Sequence, residues 1–325
     1  MAKYTVFMTD TAYLDTSIEE AELLAIDAEL RLSSSDDPAT LLAEVADCDA
    51  LLVNFATVGA DVINALSRCK IIVSAAIGVD NIDVEAATRR GIMVANVPDY
   101  CIQEVADHTV SLFLASIRKV VYLADRVKTG FWQINDAKPI PRLRGKVYGL
   151  LGCGSIGREV AKRVAAFGME VVGYDPYVPN DVLAQANIRR IENLDDFFPL
   201  VDAFSLHAPL TDETYHVINC ETLKKMKPTA YLINTSRGAL INENHLYQAL
   251  KEGIIAGAAM DVLECEPPKD VPDLANLPNV IITPHIAFYS EESIIELRQK
   301  AAQEIVRVLA GQEPLHWVNR KQMKK

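Results

Sequence analysis

The chain has 325 residues, 50% of them hydrophobic and 23% charged, and a formal net charge of -12 at pH 7. This composition excludes disordered and fibrous classes and leaves length enough for two packed domains. The negative surplus repels phosphate backbones and anionic lipid heads, so nucleic acid and membrane are poor partners and small molecules are the expected ligands.

In chain order, the opening MAKYTVFMTD has no basic stretch ahead of an apolar core, and no run of about 18 apolar residues could span a bilayer, so a cytoplasmic location is expected. Short apolar runs then alternate with helical patterns: YTVFMT, an amphipathic stretch near Leu14 to Leu30, ALLVNF, KIIVSAA and IMVANV. That rhythm predicts a parallel sheet wound with helices. Cys101 to Lys128, without internal Gly or Pro, predicts one long connector helix leaving the first domain. After a loop holding Lys138-Pro139-Ile140-Pro141, a second series runs through KVYGLLG, EVVGYD, DAFSLH, AYLINTS, GAAMDVL and NVIITP, predicting a second parallel sheet. The helical pattern Glu291 to Leu309 has no sheet of its own and is expected to pack back on the first domain. Cys48, Cys69, Cys101, Cys153, Cys220 and Cys265 show no CxxC or other metal-ligand spacing. They read as reduced, mostly buried thiols, and no metal is expected.

Gly152-Cys153-Gly154-Ser155-Ile156-Gly157 lies directly after the strand-like Val147 to Leu151 and before the helical Arg158 to Phe167. A GxGxxG in that setting allows a tight turn and close backbone approach, with the helix N-terminus holding a pyrophosphate. Asp175 follows 18 residues past Gly157, at the end of the next strand, where a carboxylate can accept bonds from an adenosine ribose. It would repel a 2'-phosphate, and no Arg or Lys stands within the next four residues, so NAD rather than NADP is the expected cofactor. Cys153 reads as a small tolerated side chain rather than a redox switch.

Hydride transfer to a 2-oxo acid needs a cation for the carboxylate, a proton source for the carbonyl oxygen and a group to tune that source. Three strand-end segments offer them: Asn234-Thr235-Ser236-Arg237-Gly238, Glu264-Cys265-Glu266-Pro267-Pro268 and Thr283-Pro284-His285-Ile286-Ala287. Together with GCGSIG, in this order, these segments resemble the D-isomer-specific 2-hydroxyacid dehydrogenases, over nearly the whole chain. The resemblance implies an α/β fold of two doubly wound parallel-sheet domains: a discontinuous flavodoxin-like substrate domain, 1–99 plus 292–325, and a Rossmann NAD-binding domain, 100–291. It puts Arg237 on the substrate carboxylate and carbonyl, His285 as acid and base, and Glu266 beside His285, although Glu264 is only two residues away. The chemistry agrees, since Arg offers a fixed, charged fork and a neighbouring carboxylate keeps His protonated.

The same resemblance implies cofactor contacts at Ser155 and Ile156 (pyrophosphate), His207-Ala208-Pro209-Leu210 (adenine side), Thr235 and Ser236 (nicotinamide ribose), Asp261 (carboxamide) and Thr214 (phosphate). It implies a homodimer formed through the NAD-binding domains. His108, in the connector helix, and His216, His245 and His316 have no catalytic context. Ala75-Ala76-Ile77-Gly78-Val79 matches the family loop whose N-H groups near Ile77 and Gly78 receive the carboxylate; Ala76 stands where the family usually has Gly. Tyr100 borders the substrate side chain or serves as a core aromatic.

VPDYCIQEVADH and HIAFYSE most resemble the branch containing the C-terminal-binding proteins, NAD-responsive corepressors with a dehydrogenase fold. That branch raises an NAD-gated scaffold as the rival to an enzyme. Phe288 replaces its Trp, and no extended tail for regulatory docking is expected. Phosphoglycerate-type relatives form a further alternative. There the segment after the third strand is rich in Arg, whereas Asn54 to Gly59, Ala75 to Val79 and Val97 to Ile102 carry no basic residue. With Phe55, Ile77, Tyr100 and Phe288 as neighbours, the expected substrate is small and unphosphorylated, such as pyruvate, glyoxylate, hydroxypyruvate or a short branched analogue, unless Arg298 or the connecting loop supplies a cation.

Overall fold

The computed structural model describes residues 2–11 and 13–324; residues 1, 12 and 325, the outermost ends of the expected domains among them, lie outside the described residues. The chain divides into two compact units, Met1–Cys101 with Ser290–Lys325, and Ile102–Tyr289.

The first unit holds a parallel sheet of Tyr4–Met8 (β1), Ala28–Leu32 (β2), Ala50–Val53 (β3), Ile71–Ser74 (β4) and Met93–Ala95 (β5), in the order β2-β1-β3-β4-β5. β3 and β4 are buried throughout, as strands covered by helices on both faces must be, and their sequences are correspondingly near-continuous aliphatic runs. The order is that of a flavodoxin-like doubly wound sheet. The expected amphipathic stretch from Leu14 to Leu30 is corrected to a helix at Ser17–Leu23, a 3-10 turn at Leu24–Ile26, and strand β2. β2 escaped notice because AELRL is an edge strand that pairs with β1 alone and stays half exposed, so it carries no apolar run. The helix Glu291–Leu309 has the predicted bounds and belongs to this unit. It starts on a capping box, Ser290 with Ser293, and buries Leu297, Ala301, Ala302 and Ile305. Farther on, buried Asn319 accepts from Val94 N-H at 2.9 Å and donates to the Ile92 carbonyl at 3.0 Å. The C-terminal segment is thereby stitched to β5.

The second unit holds Val147–Leu151 (β6), Glu170–Tyr174 (β7), Arg189–Arg190 (β8), Ala203–Leu206 (β9), Tyr231–Asn234 (β10), Gly257–Met260 (β11) and Val280–Ile282 (β12). All are parallel, in the order β12-β11-β10-β9-β6-β7-β8. Chain progression reverses between β6 and β9, the switch point beyond whose strand ends ligands bind in open α/β sheets. Two-residue β8 was not foreseen. Phe197, Phe198 and Phe204 meet edge to face under this sheet, with centroids 5.5 to 6.0 Å apart.

The single connector helix expected from Cys101 to Lys128 is corrected to two, Ile102–Ile117 and Val120–Lys128, broken at Lys119, whose φ of 55° is left-handed. A lysine there costs roughly 1–2 kcal/mol of backbone energy. Nothing in the local sequence announces it, because both halves keep helical spacing and neither Gly nor Pro marks the join. Among the described residues no helix is long and apolar enough to cross a membrane.

Candidate active site

The glycine loop sits at the switch point, between the ends of β6 and β9. Gly152 has a φ of 94°, and a Cβ on it would lie 2.6 Å from the His207 carbonyl carbon and the Ala208 nitrogen. Gly157 packs the following helix on the loop, since a Cβ there would meet the Gly152 oxygen at 2.6 Å. A Cβ on Gly154, by contrast, would project into open space. The helix runs Ser155–Ala165, three residues earlier than its expected start, with no side-chain cap and no acidic residue in its first turn. Its first N-H groups and the positive end of its dipole are thus left for an anion at exposed Ser155 and half-buried Ile156. This surface fits a dinucleotide pyrophosphate.

Asp175 shapes the neighbouring turn. Its Oδ2 accepts from Cys153 N-H at 2.8 Å, and its Oδ1 from the N-H groups of Tyr177 and Val178 at 2.9 and 3.0 Å. Oδ2 retains a lone pair for a ribose hydroxyl. A cation that the sequence window missed packs on this turn: Arg190 of β8 donates to the carbonyls of Asp175 and Val178, both at 2.8 Å, and pairs with Glu192. Cys153 is buried, and burial, with Asp175 adding to it, pushes its thiol up to about 12, which leaves no thiolate for redox chemistry. Of the other cysteines Cys48 and Cys101 are buried, Cys69 and Cys220 intermediate, and Cys265 exposed.

On the β9 side, His207 bonds Ser205 Oγ at 2.7 Å, and desolvation of its ring holds its pKa down to about 3, so it stays neutral. Ala208 is buried and its carbonyl accepts from Ser236 Oγ at 2.8 Å, which ties the β9 loop to the β10 loop; Pro209 is exposed. Two implied cofactor hydroxyls are already engaged by the protein. Thr214 Oγ1 donates to the Pro209 carbonyl at 2.7 Å, and Thr235 Oγ1 is buried against Thr109 Oγ1 at 2.7 Å.

The three charged residues come together beyond β10, β11 and β12. Buried Asn234 closes a turn, accepting from Ser236 N-H at 3.0 Å and donating to the Arg237 carbonyl at 2.8 Å. Gly238 lies flat on the Leu263–Glu264 peptide, so close that a Cβ would fall inside the Leu263 carbonyl. That contact brings the Arg237 loop beside the loop of Glu266. Glu266 Oε2 is 2.6 Å from His285 Nδ1, and Oε1 accepts from Leu263 N-H at 2.6 Å. Burial alone would raise the Glu266 pKa. The bonds from His285 and Leu263 and the charges of His285 and Arg237 outweigh it and hold the carboxyl below its usual range. Glu264 does not contact His285 in this way and bonds Glu243 instead.

His285 has a φ of 50°, a left-handed strain of the kind functional sites retain. Asp261 holds it there. The Asp261 carbonyl accepts from His285 N-H at 2.7 Å, while its buried carboxylate accepts from Thr283 Oγ1, Ile286 N-H and Ala287 N-H at 2.5, 3.0 and 2.8 Å. One acceptor position remains on Oδ2. His108, dismissed on sequence, joins this network, with Nε2 3.1 Å from Thr283 Oγ1 and 3.6 Å from Asp261 Oδ1. No local motif marks it. Only the packing of its helix beside β10 and β11 does so. Phe288 turns an edge to the His285 ring at 6.1 Å. With Nδ1 held by Glu266, His285 has Nε2 left to exchange a proton, and Arg237, whose charge acts on the same Glu266, offers a guanidinium able to bind a carboxylate.

Taken by itself, the first unit has a loop of donors. The carbonyls of Ala76, Ile77 and Gly78 accept from Val97 N-H, Asn96 Nδ2 and Ser74 Oγ at 3.0, 2.6 and 2.8 Å, while the Ile77 and Gly78 N-H groups donate to nothing among the described residues. Such a loop suits a carboxylate even with Ala76 in place of Gly. Tyr100 is buried at 7% exposure and Phe55 is exposed at 67%.

The family model for the D-isomer specific 2-hydroxyacid dehydrogenase NAD binding domain matches residues 110–287. A D-3-phosphoglycerate dehydrogenase of Methanocaldococcus jannaschii is 43% identical over 86% of this chain, which spans only 53% of that relative. A glyoxylate reductase of Korarchaeum cryptofilum is 37% identical over 98% of both chains. Among solved structures, a D-lactate dehydrogenase from Aquifex aeolicus complexed with NAD and lactic acid superposes with a TM-score of 0.85 at 28% identity, over 98% of this chain and 97% of that one.

Proposed function

Because the chain belongs to the D-isomer-specific 2-hydroxyacid dehydrogenase family, we propose that it moves a hydride between NAD(H) and the 2-position of a small, unphosphorylated 2-oxo or 2-hydroxy acid of D configuration. The carrying observation is the 2.6 Å contact of Glu266 with His285, beside Arg237. Bound nicotinamide supplies the hydride in reduction and takes it in oxidation. Arg237 holds the substrate carboxylate and polarises its carbonyl, and His285 gives its Nε2 proton to the oxygen as the alcohol forms. In oxidation the neutral imidazole takes that proton back. The Ile77 and Gly78 N-H groups receive the carboxylate in the first unit, which is the substrate unit in this reading.

Two features favour an unphosphorylated substrate. Arg298, a cation the sequence left open, is buried and committed to Glu19 at 2.6 and 2.7 Å, with Tyr13 under its guanidinium. Asp10 takes the N-H groups of Phe55 and Ala56 at 2.8 and 3.2 Å, so an anion would have to displace a carboxylate to use them. An NADH-oxidation panel of pyruvate, glyoxylate, hydroxypyruvate and 3-phosphohydroxypyruvate tests this. The unphosphorylated acids are expected to lead, and a clear preference for the phosphorylated one sinks the assignment. Absence of turnover with every acid, alongside tight NADH binding, would favour the scaffold instead.

For the cofactor, the Arg190 guanidinium is spent on two carbonyls and Glu192, which leaves Asp175 to face the ribose. We expect NADH to be favoured over NADPH by about 2–3 kcal/mol in kcat/KM, and Asp175→Ser to narrow the gap at least about tenfold. Equal efficiencies in the unaltered protein would contradict this.

The reading includes a cytoplasmic homodimer. Six thiols, none in a disulfide among the described residues, suit a reducing compartment. Along Val120–Lys128 and the segment after it Trp132 and Ile134 are 85% and 79% exposed, an apolar surface in the NAD-binding unit that a second copy would cover. A monomer mass by sedimentation would remove that part.

A further inference from the structure

The loop of Arg237 and the loop of Glu266 share a contact for which the reaction has no use. Glu243 N-H donates to Glu264 Oε1 at 2.9 Å, and Glu264 N-H donates back to Glu243 Oε1 at 2.6 Å. Each glutamate accepts the other's main-chain proton. Glu243 opens the helix Glu243–Lys251, six residues after Arg237, and Glu264 stands two residues before Glu266. His216 flanks the pair. Its Nε2 is 3.2 Å from Glu264 Oε1 without hydrogen-bond alignment, and its ring is stacked on Tyr215 at 4.0 Å.

Around the pair, the strands of chain are locked in register. His216 and Ile218 N-H groups donate to the carbonyls of Ala239 and Leu240 at 2.9 and 3.0 Å, and Asn242 N-H donates back to Ile218 at 2.9 Å. At the other end Gly238 lies on the Leu263–Glu264 peptide. The nitrogen of Leu263 is the one that bonds Glu266 Oε1, so a shift at Glu264 passes through one residue to the carboxylate that holds His285. The arrangement is not a cheap one. Burial raises the Glu243 pKa, the Glu264 N-H offsets part of this, and the charges of Glu264 and Glu266 raise it again. A single neutral acceptor could join two loops without gathering three carboxylates.

We propose that Glu243 and Glu264 are positioning residues, whose reciprocal bonds fix the spacing between the Arg237 loop and the Glu266 carboxylate and so place the His285 ring relative to the guanidinium. This rests on the reading of Arg237, Glu266 and His285 given above.

Glu264→Ala removes the acceptor, whereas Glu264→Gln keeps Oε1 and loses only the charge. In steady-state kinetics the Ala variant is expected to lose about tenfold in kcat with KM for NADH within about twofold, since misplacement at the reacting groups costs rate while the glycine loop and Asp175 lie on other strands. Gln should restore kcat to within about twofold of the unaltered protein. The downfield proton NMR signal of His285 Nδ1-H, assigned by its loss in His285→Ala, should vanish or move in Glu264→Ala and persist in Glu264→Gln. That signal is read without turnover. Normal activity in His285→Ala would therefore defeat the functional reading alone, while the NMR comparison still decides the joint. Unchanged kcat and an unmoved signal in Glu264→Ala, or a Gln variant no better than Ala, overturns the proposal. Should Glu264→Ala not fold, Glu264→Asp, which keeps the charge but falls short of Glu243 N-H, is expected to show the same losses.

Discussion

His285→Ala should lower 2-oxo acid reduction by about 10²–10⁴-fold with the fold intact, the range a positioned acid–base group contributes. The ring is half exposed, and its left-handed backbone is held through the main chain by Asp261, so the fold does not depend on the imidazole. Arg237→Ala should fall at least as far, with KM for the oxo acid rising as well, as the proposed role of the guanidinium on the substrate carboxylate requires. Glu266→Gln separates the roles. The carboxylate at 2.6 Å holds the ring through Nδ1, so its replacement by an amide should lower kcat more than it raises KM for the oxo acid. Glu266 itself has a depressed pKa, so its contribution persists as pH falls through the ordinary carboxylate range and is lost only below it. A near-normal rate in His285→Ala, with circular dichroism unchanged, would take this residue out of the mechanism.

Gly238→Ala should be the most damaging single methyl in the second unit. Its Cβ would fall inside the Leu263 carbonyl, main chain that no rotamer change can move. Overpacking against backbone costs about 3 kcal/mol or more. For a domain of this size that is a fall in Tm of roughly 6–12 °C. Because the same contact sets Arg237 beside Glu266, activity should drop in the material that remains folded. Gly154→Ala is the matched control, since its Cβ points into open space. It should leave Tm within about 2 °C of the unaltered protein and weaken NADH binding, since the methyl would enter the open space proposed for the pyrophosphate. Thermal melts and NADH titrations of the two variants check both halves, and a Gly238→Ala protein with unaltered Tm would refute the close-approach argument.

Fully buried strands such as β3, β4 and β10 were legible because burial on two faces demands unbroken aliphatic runs. β2 and β8 were not, since edge strands with polar residues obey no such demand. The glycine loop could be read to the residue, with Gly152 and Gly157 each answering a local steric need. His108 and Arg190 reach their partners only through tertiary packing, across separations of 175 and 15 residues, and a motif confined to one segment cannot encode that. Lys119 belongs with them: its φ of 55° breaks a helical pattern that its own segment carries through without a Gly or Pro.

The discontinuity of the first unit bears on the order in which a ribosome delivers the fold. Strands β1 to β5 emerge first, yet the helix Glu291–Leu309 that covers them and the Asn319 side chain that bonds β5 emerge last. At ~5–20 residues per second the nascent sheet waits on the order of ten seconds or more for its missing layer. Through that interval Ile102–Tyr289 is synthesised whole and can close its own core. The half that comes first in sequence is thus the half completed last, and it is this unit whose folding most needs shelter during synthesis.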